Sequence, residues 1–88
     1  MTKLERHSEL LRQMHETYIK KNHDYGDAFA KSIEDFGPAA ALVRISDKYY
    51  RLSSLLKNKE ALVKDETICD TLLDLANYCV MTVMEVEK

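Results

Sequence analysis

Leu42, Ile45, Tyr49, Leu52 and Leu56 recur at steps of three and four residues, the spacing that lines up apolar side chains along one stripe of a helix. A second stripe, Ile68, Leu72, Leu75 and Cys79, follows the polar connection at 58–64. Two amphipathic helices joined so closely fold back on each other as an antiparallel hairpin. The predicted spans are 38–57 and from 65 to the C-terminus. Pro38 is suited to a first helical turn, Asp65 can cap the second helix, and Glu66 places favourable charge near its start.

Ahead of the hairpin, Thr2-Lys3-Leu4-Glu5 has the capping-box pattern, in which a Thr hydroxyl and a Glu carboxylate satisfy each other's free backbone N–H groups. A helix is expected from there to about Asn22, with Leu4, Leu11, Met14 and Tyr18 as its apolar stripe. Gly26 breaks the pattern, a short helix at 30–36 follows, and Gly37 ends it. Tyr25 and Phe29 are expected to staple the turn to the core. The predicted fold is therefore all-α, an N-terminal helix plus an antiparallel helical hairpin. With 88 residues, such a chain buries only about 60% of its unfolded surface. Leu73, Ala76, Val80 and Val83 widen the apolar arc of the last helix, and a homo-oligomeric bundle is the expected way to cover it.

Two charged rows flank the apolar stripes. Arg44, Lys48 and Arg51 lie at i, i+4 and i+7 on one helix; Glu66, Asp70, Asp74 and Asn77 lie on the other. Like charges at i and i+4 repel by roughly 0.2–0.5 kcal/mol per pair, so the acidic row calls for a cationic partner. An antiparallel hairpin sets Arg51 near Asp70, Lys48 near Asp74, and Arg44 near Asn77 and Tyr78. Three readings are open: an ionic lattice that holds the hairpin in register, a Mg²⁺ site on Asp70 and Asp74 that grips phosphates, and a metal-free site for an anionic nucleotide. The shortage of acidic residues on the first hairpin helix, which offers only Asp47, favours binding over metal-dependent hydrolysis.

The stretch Lys20-Lys21-Asn22-His23-Asp24-Tyr25-Gly26-Asp27-Ala28-Phe29 crowds donors, acceptors and aromatic faces around one turn. As structure it is a helix end; as function it is a binding loop in which His23, Asp24, Tyr25 and Asp27 meet a ligand. His7 and His15 lie too far apart on one helix to share a metal and read as solvated or helix-packing residues.

Several classes of function find no support. A net charge of −2 does not suit general duplex binding, which needs a basic face. Cys69 and Cys79 stand ~15 Å apart along one helix, too far to bridge each other, and read as reduced core thiols. No apolar run approaches the roughly 20 residues of a membrane span, and the N-terminus lacks a signal-peptide pattern, so a cytoplasmic location is expected. Gly-rich phosphate loops, C-x-x-C and H-E-x-x-H are missing.

His23-Asp24-Tyr25-Gly26-Asp27-Ala28-Phe29, Arg44-Ile45-Ser46-Asp47-Lys48 with Arg51-Leu52, and Asp65-Glu66-Thr67 with Asp70-Thr71-Leu72-Leu73-Asp74-Leu75-Ala76-Asn77-Tyr78 resemble, in order, the motifs of nucleotide modification associated domain 1, once called DUF1599. The resemblance spans about residues 20 to 80. It implies a small helical protein of a kind frequent in bacteriophages and found near nucleotide-metabolism genes. The helix layout is also distantly similar to MazG-like all-α nucleoside triphosphate pyrophosphohydrolases, which hold Mg²⁺ with E-E-x-x-E on one helix and E-x-x-D on the next. Here the first motif is replaced by Arg44-Ile45-Ser46-Asp47-Lys48, and the second has Asp70 and Asp74 at a four-residue step. Phages also encode small helical proteins that sequester nucleotide immune signals, and by that analogy an anti-defence role suits the size and charge layout. The expectation is a phosphorylated nucleotide bound by loop 23–27, Arg44, Lys48, Arg51, Asn77 and Tyr78. Asp70 and Asp74 orient the bases or hold a metal.

Overall fold

The computed structural model describes residues 1–58 and 65–88, with the backbone alone at 65 and 66. Every regular element among them is a helix: α1 Lys3–Tyr25, α2 Ala28–Phe36, α3 Ala39–Lys57 and α4 Asp65–Val86. The connection expected at 59–64 and the capping by the Asp65 and Glu66 side chains lie outside the described residues.

The capping box forms as expected. Thr2 Oγ1 accepts from the Glu5 backbone N–H at 3.1 Å, and Glu5 Oε1 accepts from the Thr2 N–H at 3.4 Å. On the solvent face of α1, Arg12 bridges Glu9 and Glu16, and its hydrogen bond holds the Glu9 carboxyl below its ordinary value. The helix runs three residues past the expected end, until Gly26 caps it with φ 60° and donates its N–H to the Asn22 carbonyl at 3.0 Å. Asp27 follows with φ 56°, so two successive residues in the left-handed region reverse the chain. Asp tolerates this conformation better than most side chains. Gly37, at φ 82° and ψ −179°, ends α2 in a region open in practice only to glycine.

The hairpin is antiparallel: Lys48 meets Asp74, while Arg44, one turn earlier in α3, borders the same pocket as Asn77 and Tyr78, one turn later in α4. α3 and α4 make the most extensive pairing in the molecule, with α2 packed on α3 and α1 on α4. Their rotation differs from the expected seam. Ala41 and Thr71 are the buried positions of α3 and α4, whereas Leu42, Tyr49, Leu56, Leu72 and Cys79 are exposed; Ile45, Leu52, Ile68 and Leu75 are half-buried. Helices with small residues at the contact can approach closely, and the Thr71 hydroxyl is satisfied by donating to the Thr67 carbonyl at 2.7 Å.

Two further expectations are corrected. Phe29 is buried at 7% exposure and staples the turn, but Tyr25 is 68% exposed. Cys69 and Cys79 are free thiols, as expected, yet both are exposed rather than in the core. The apolar residues buried among those described are Phe29 and Ala41 alone. The core is thinner than the apolar content of the sequence suggests, because much of that content lies on the surface.

Candidate functional site

Tyr18, Lys21, Asn22 and Tyr25 fall at i, i+3, i+4 and i+7 of α1, which places them on one face of the helix. That face looks across to α4 at Asp74, Asn77, Tyr78 and Met81. The left-handed turn after α1 carries Asp27, Ala28 and Phe29 to one end, and α3 contributes Arg44. Together they enclose a pocket of about 480 Å³, within the size range of small-molecule sites. Its walls are largely aromatic and apolar, the mix that holds a planar ligand while a few polar groups orient it.

Asp74 organises the polar side. Its Oδ1 accepts from Lys21 Nζ at 3.4 Å, and its Oδ2 lies 3.5 Å from Lys48 Nζ. One carboxylate therefore joins α1, α3 and α4. Asn77 adds a second tie, donating from Nδ2 to the Met14 carbonyl of α1 at 3.1 Å. The Phe29 and Tyr78 rings pack at a centroid distance of 5.5 Å, tilted by 46°, a favourable aromatic arrangement that fixes the floor of the pocket. None of the ion pairs among the described residues takes up Arg44. The charged lining is balanced, Lys21 and Arg44 against the carboxylates of Asp27 and Asp74, with Lys48 joined to Asp74 from outside the lining.

Six of the residues singled out from the sequence come together here: Tyr25, Asp27, Arg44, Asp74, Asn77 and Tyr78. Lys48 stands behind them through Asp74. His23 and Asp24 are exposed and pair with each other at 3.2 Å, outside the pocket lining. Arg51 has no ion pair with Asp70; Asp70 instead borders a neighbouring hollow of about 330 Å³ with Gln13, Met14, Thr17 and Leu73. The expected lattice is realised among the described residues at Lys48 and Asp74.

Lys21, Asn22 and Phe29, which belong to the stretch read as a binding loop but not to its expected ligand contacts, also line the pocket, and Tyr18 and Met81 join it from outside that stretch. The signal for the α1 members was present in the spacing of Tyr18, Lys21 and Tyr25. It carried no weight while the helix was expected to end at Asn22, because Tyr25 then belonged to a loop.

For a metal, the donor set is poor. No three His, Cys, Asp or Glu side chains gather among the described residues. Mg²⁺ can be held by one or two carboxylates with substrate phosphates, but both Asp74 oxygens already face ammonium groups. A cation there would have to displace Lys21 and Lys48.

These features define a small protein, all-helical among its described residues, with an aromatic pocket that carries Lys21 and Arg44 beside Asp27 and Asp74 between its first helix and a helical hairpin. The chain belongs to the nucleotide modification associated domain 1 family, whose model matches residues 21–86. The match takes in the turn after α1, the whole of α3 and the acidic side of α4, and so most of the pocket. No curated protein and no solved structure matches the chain. Among the described residues no helix is long and apolar enough to cross a membrane.

Proposed function

We propose that the protein binds a phosphorylated nucleotide in the pocket between α1, α3 and α4, holds it without hydrolysis, and works as a homo-oligomer. The observation that carries this reading is the arrangement of Lys21, Arg44 and Lys48 beside a pocket walled by Tyr18, Tyr25, Phe29 and Tyr78. An aromatic wall suits a base, because stacking accepts any π face. Arg44, with its planar fork unengaged, suits a phosphate in a bidentate contact. Lys21 and Lys48 supply point charges, and Asp74 keeps both ammonium groups close to the mouth. Sequestration of a nucleotide signal in the host cytoplasm, as by a phage anti-defence protein, is the biological role that this chemistry would serve.

The rival is a Mg²⁺-dependent nucleotide pyrophosphohydrolase using Asp70 and Asp74. The two ammonium groups on Asp74 weigh against it. Calorimetry with nucleoside triphosphates, cyclic dinucleotides and ADP-ribose derivatives, with and without Mg²⁺ and with analysis of the recovered ligand, separates the readings. Binding with the ligand recovered intact is the expected result. Turnover that disappears in Asp74→Asn would establish the hydrolase, and no binding across the panel would leave a structural subunit.

A further inference from the structure

At roughly 100° per residue, the positions of α3 and α4 divide into two sides about their line of contact at Ala41 and Thr71. Arg44, Asp47, Lys48 and Arg51, all the charged residues of α3 before its last residue, fall on the side of the pocket. Asp70, Asp74 and Glu85 of α4 fall on that side too. The other side of α3 carries Leu42, Tyr49 and Leu56, one heptad apart, at 67%, 58% and 63% exposure. The matching side of α4 carries Leu72, Cys79, Val83 and Val86, also exposed, with Ala76 among them. Because the helices are antiparallel, equal rotations from the contact line bring both stripes to the same side of the hairpin. Each stripe is ~21 Å long, from fourteen residues at 1.5 Å each, and with Lys48 opposite Asp74 the two run side by side where Leu42 to Tyr49 of α3 faces Leu72 to Cys79 of α4.

We propose that this outer face is where a second copy of the chain docks, so that two hairpins pack face to face as a four-helix core with the nucleotide pockets on the outside. The proposal deepens the homo-oligomer part of the reading above by naming the surface, and it is independent of the ligand. Three observations carry it. The accessible surface of the chain is 7074 Å², whereas a folded monomer of 10.2 kDa exposes about 5300 Å². The excess of about 1750 Å² per chain, which the open flank of α1 shares, leaves room for the ~800 Å² each partner buries in a standard complex. The radius of gyration, 14.6 Å, likewise exceeds the about 12 Å of a compact chain of this length.

The residues themselves fit a copy of the same face. Leu42, Tyr49 and Leu56 alternate with Ser46 and Ser53 on α3, and Leu72, Cys79 and Val83 flank Ala76 on α4. Large and small side chains at heptad spacing are what knobs-into-holes packing about a twofold axis requires. A chain whose buried apolar residues among those described are Phe29 and Ala41 needs this cover in order to fold, and the partner always present at the moment of synthesis is another copy of itself.

Sedimentation equilibrium of the wild-type chain at micromolar concentration, beside Tyr49→Glu and Val83→Lys, tests the proposal, with Leu11→Glu on α1 as the control. The expected result is a wild-type oligomer built from dimers, reduced to monomer or unfolded by either face variant and unchanged in Leu11→Glu. A monomeric wild-type chain would overturn both the homo-oligomer reading and this surface. An oligomer whose mass survives in both folded face variants would overturn the surface alone. If the face variants do not fold, alkylation of Cys79 in a Cys69→Ser background decides: slow labelling that speeds up on dilution supports the interface, and labelling at the rate of a free thiol sinks it.

Discussion

The two sides of the α3 and α4 hairpin are made from the same helices and have opposite chemistry. The pocket side gathers Arg44, Asp47, Lys48 and Arg51 of α3 and Asp70, Asp74 and Glu85 of α4, is crossed by α1, and is tied by Asp74 to Lys21 and Lys48 and by Asn77 to Met14. The outer side has no charged residue between Leu42 and Leu56 on α3, or on the Leu72, Cys79 and Val83 stripe of α4, and its large apolar side chains are exposed. A helix can serve both ends because its faces are set independently by residues three and four apart. The pocket side uses its polar groups to tie α1 and α3 to α4, and the outer side leaves its apolar side chains exposed.

The contrast is most directly broken by Phe29→Ala. Removing a buried ring typically costs about 3–5 kcal/mol, and on so thin a core the loss should unfold most of the population in a urea titration. Should the variant keep wild-type stability, Phe29 would not be the staple between the turn and Tyr78. Arg44→Ala sharpens the contrast from the ligand side. Losing a hydrogen bond to a charged group costs about 1.5–3 kcal/mol, so nucleotide affinity should fall roughly 10- to 150-fold, with oligomer mass and melting temperature unchanged. A parallel loss of mass would show that the two sides are not separate.

Gly26→Ala probes the turn that forms the rim. The added methyl group meets open space apart from the flexible end of Lys31, so the penalty comes from φ 60° and should be about 1–2 kcal/mol, read by denaturation. The smallest effect belongs to Lys48 and Asp74. A double-mutant cycle with Lys48→Met and Asp74→Asn should give a coupling of about 0–1 kcal/mol. A much larger coupling would restore the ionic lattice as the main purpose of the charged rows.

Much of the fold was legible in the residue order. The capping box at Thr2, the stops at Gly26 and Gly37 and the hairpin are local or periodic signals that act within one or two turns. The site was half legible: Tyr25, Asp27, Arg44, Asp74, Asn77 and Tyr78 were marked by charge and pattern, and they meet. Tyr18 was read as part of the core stripe, and Lys21 as part of a loop, because the extra turn of α1 that sets them on one face with Tyr25 depends on where the chain reverses. His23 and Arg51 were marked by composition, but their side chains lie outside the pocket lining.

By itself, the sequence determined the helices, their order and the segregation of charge from apolar surface, since these follow from spacing along the chain. Only the tertiary structure decided which stripe of each hairpin helix turns inward. Leu42 and Ala41 are adjacent and both apolar, so periodicity allows either as the contact. The structure buries the smaller side chains, Ala41 and Thr71, the kind that allows helix axes to approach closely. The larger Leu42, Tyr49 and Leu72 were left facing out.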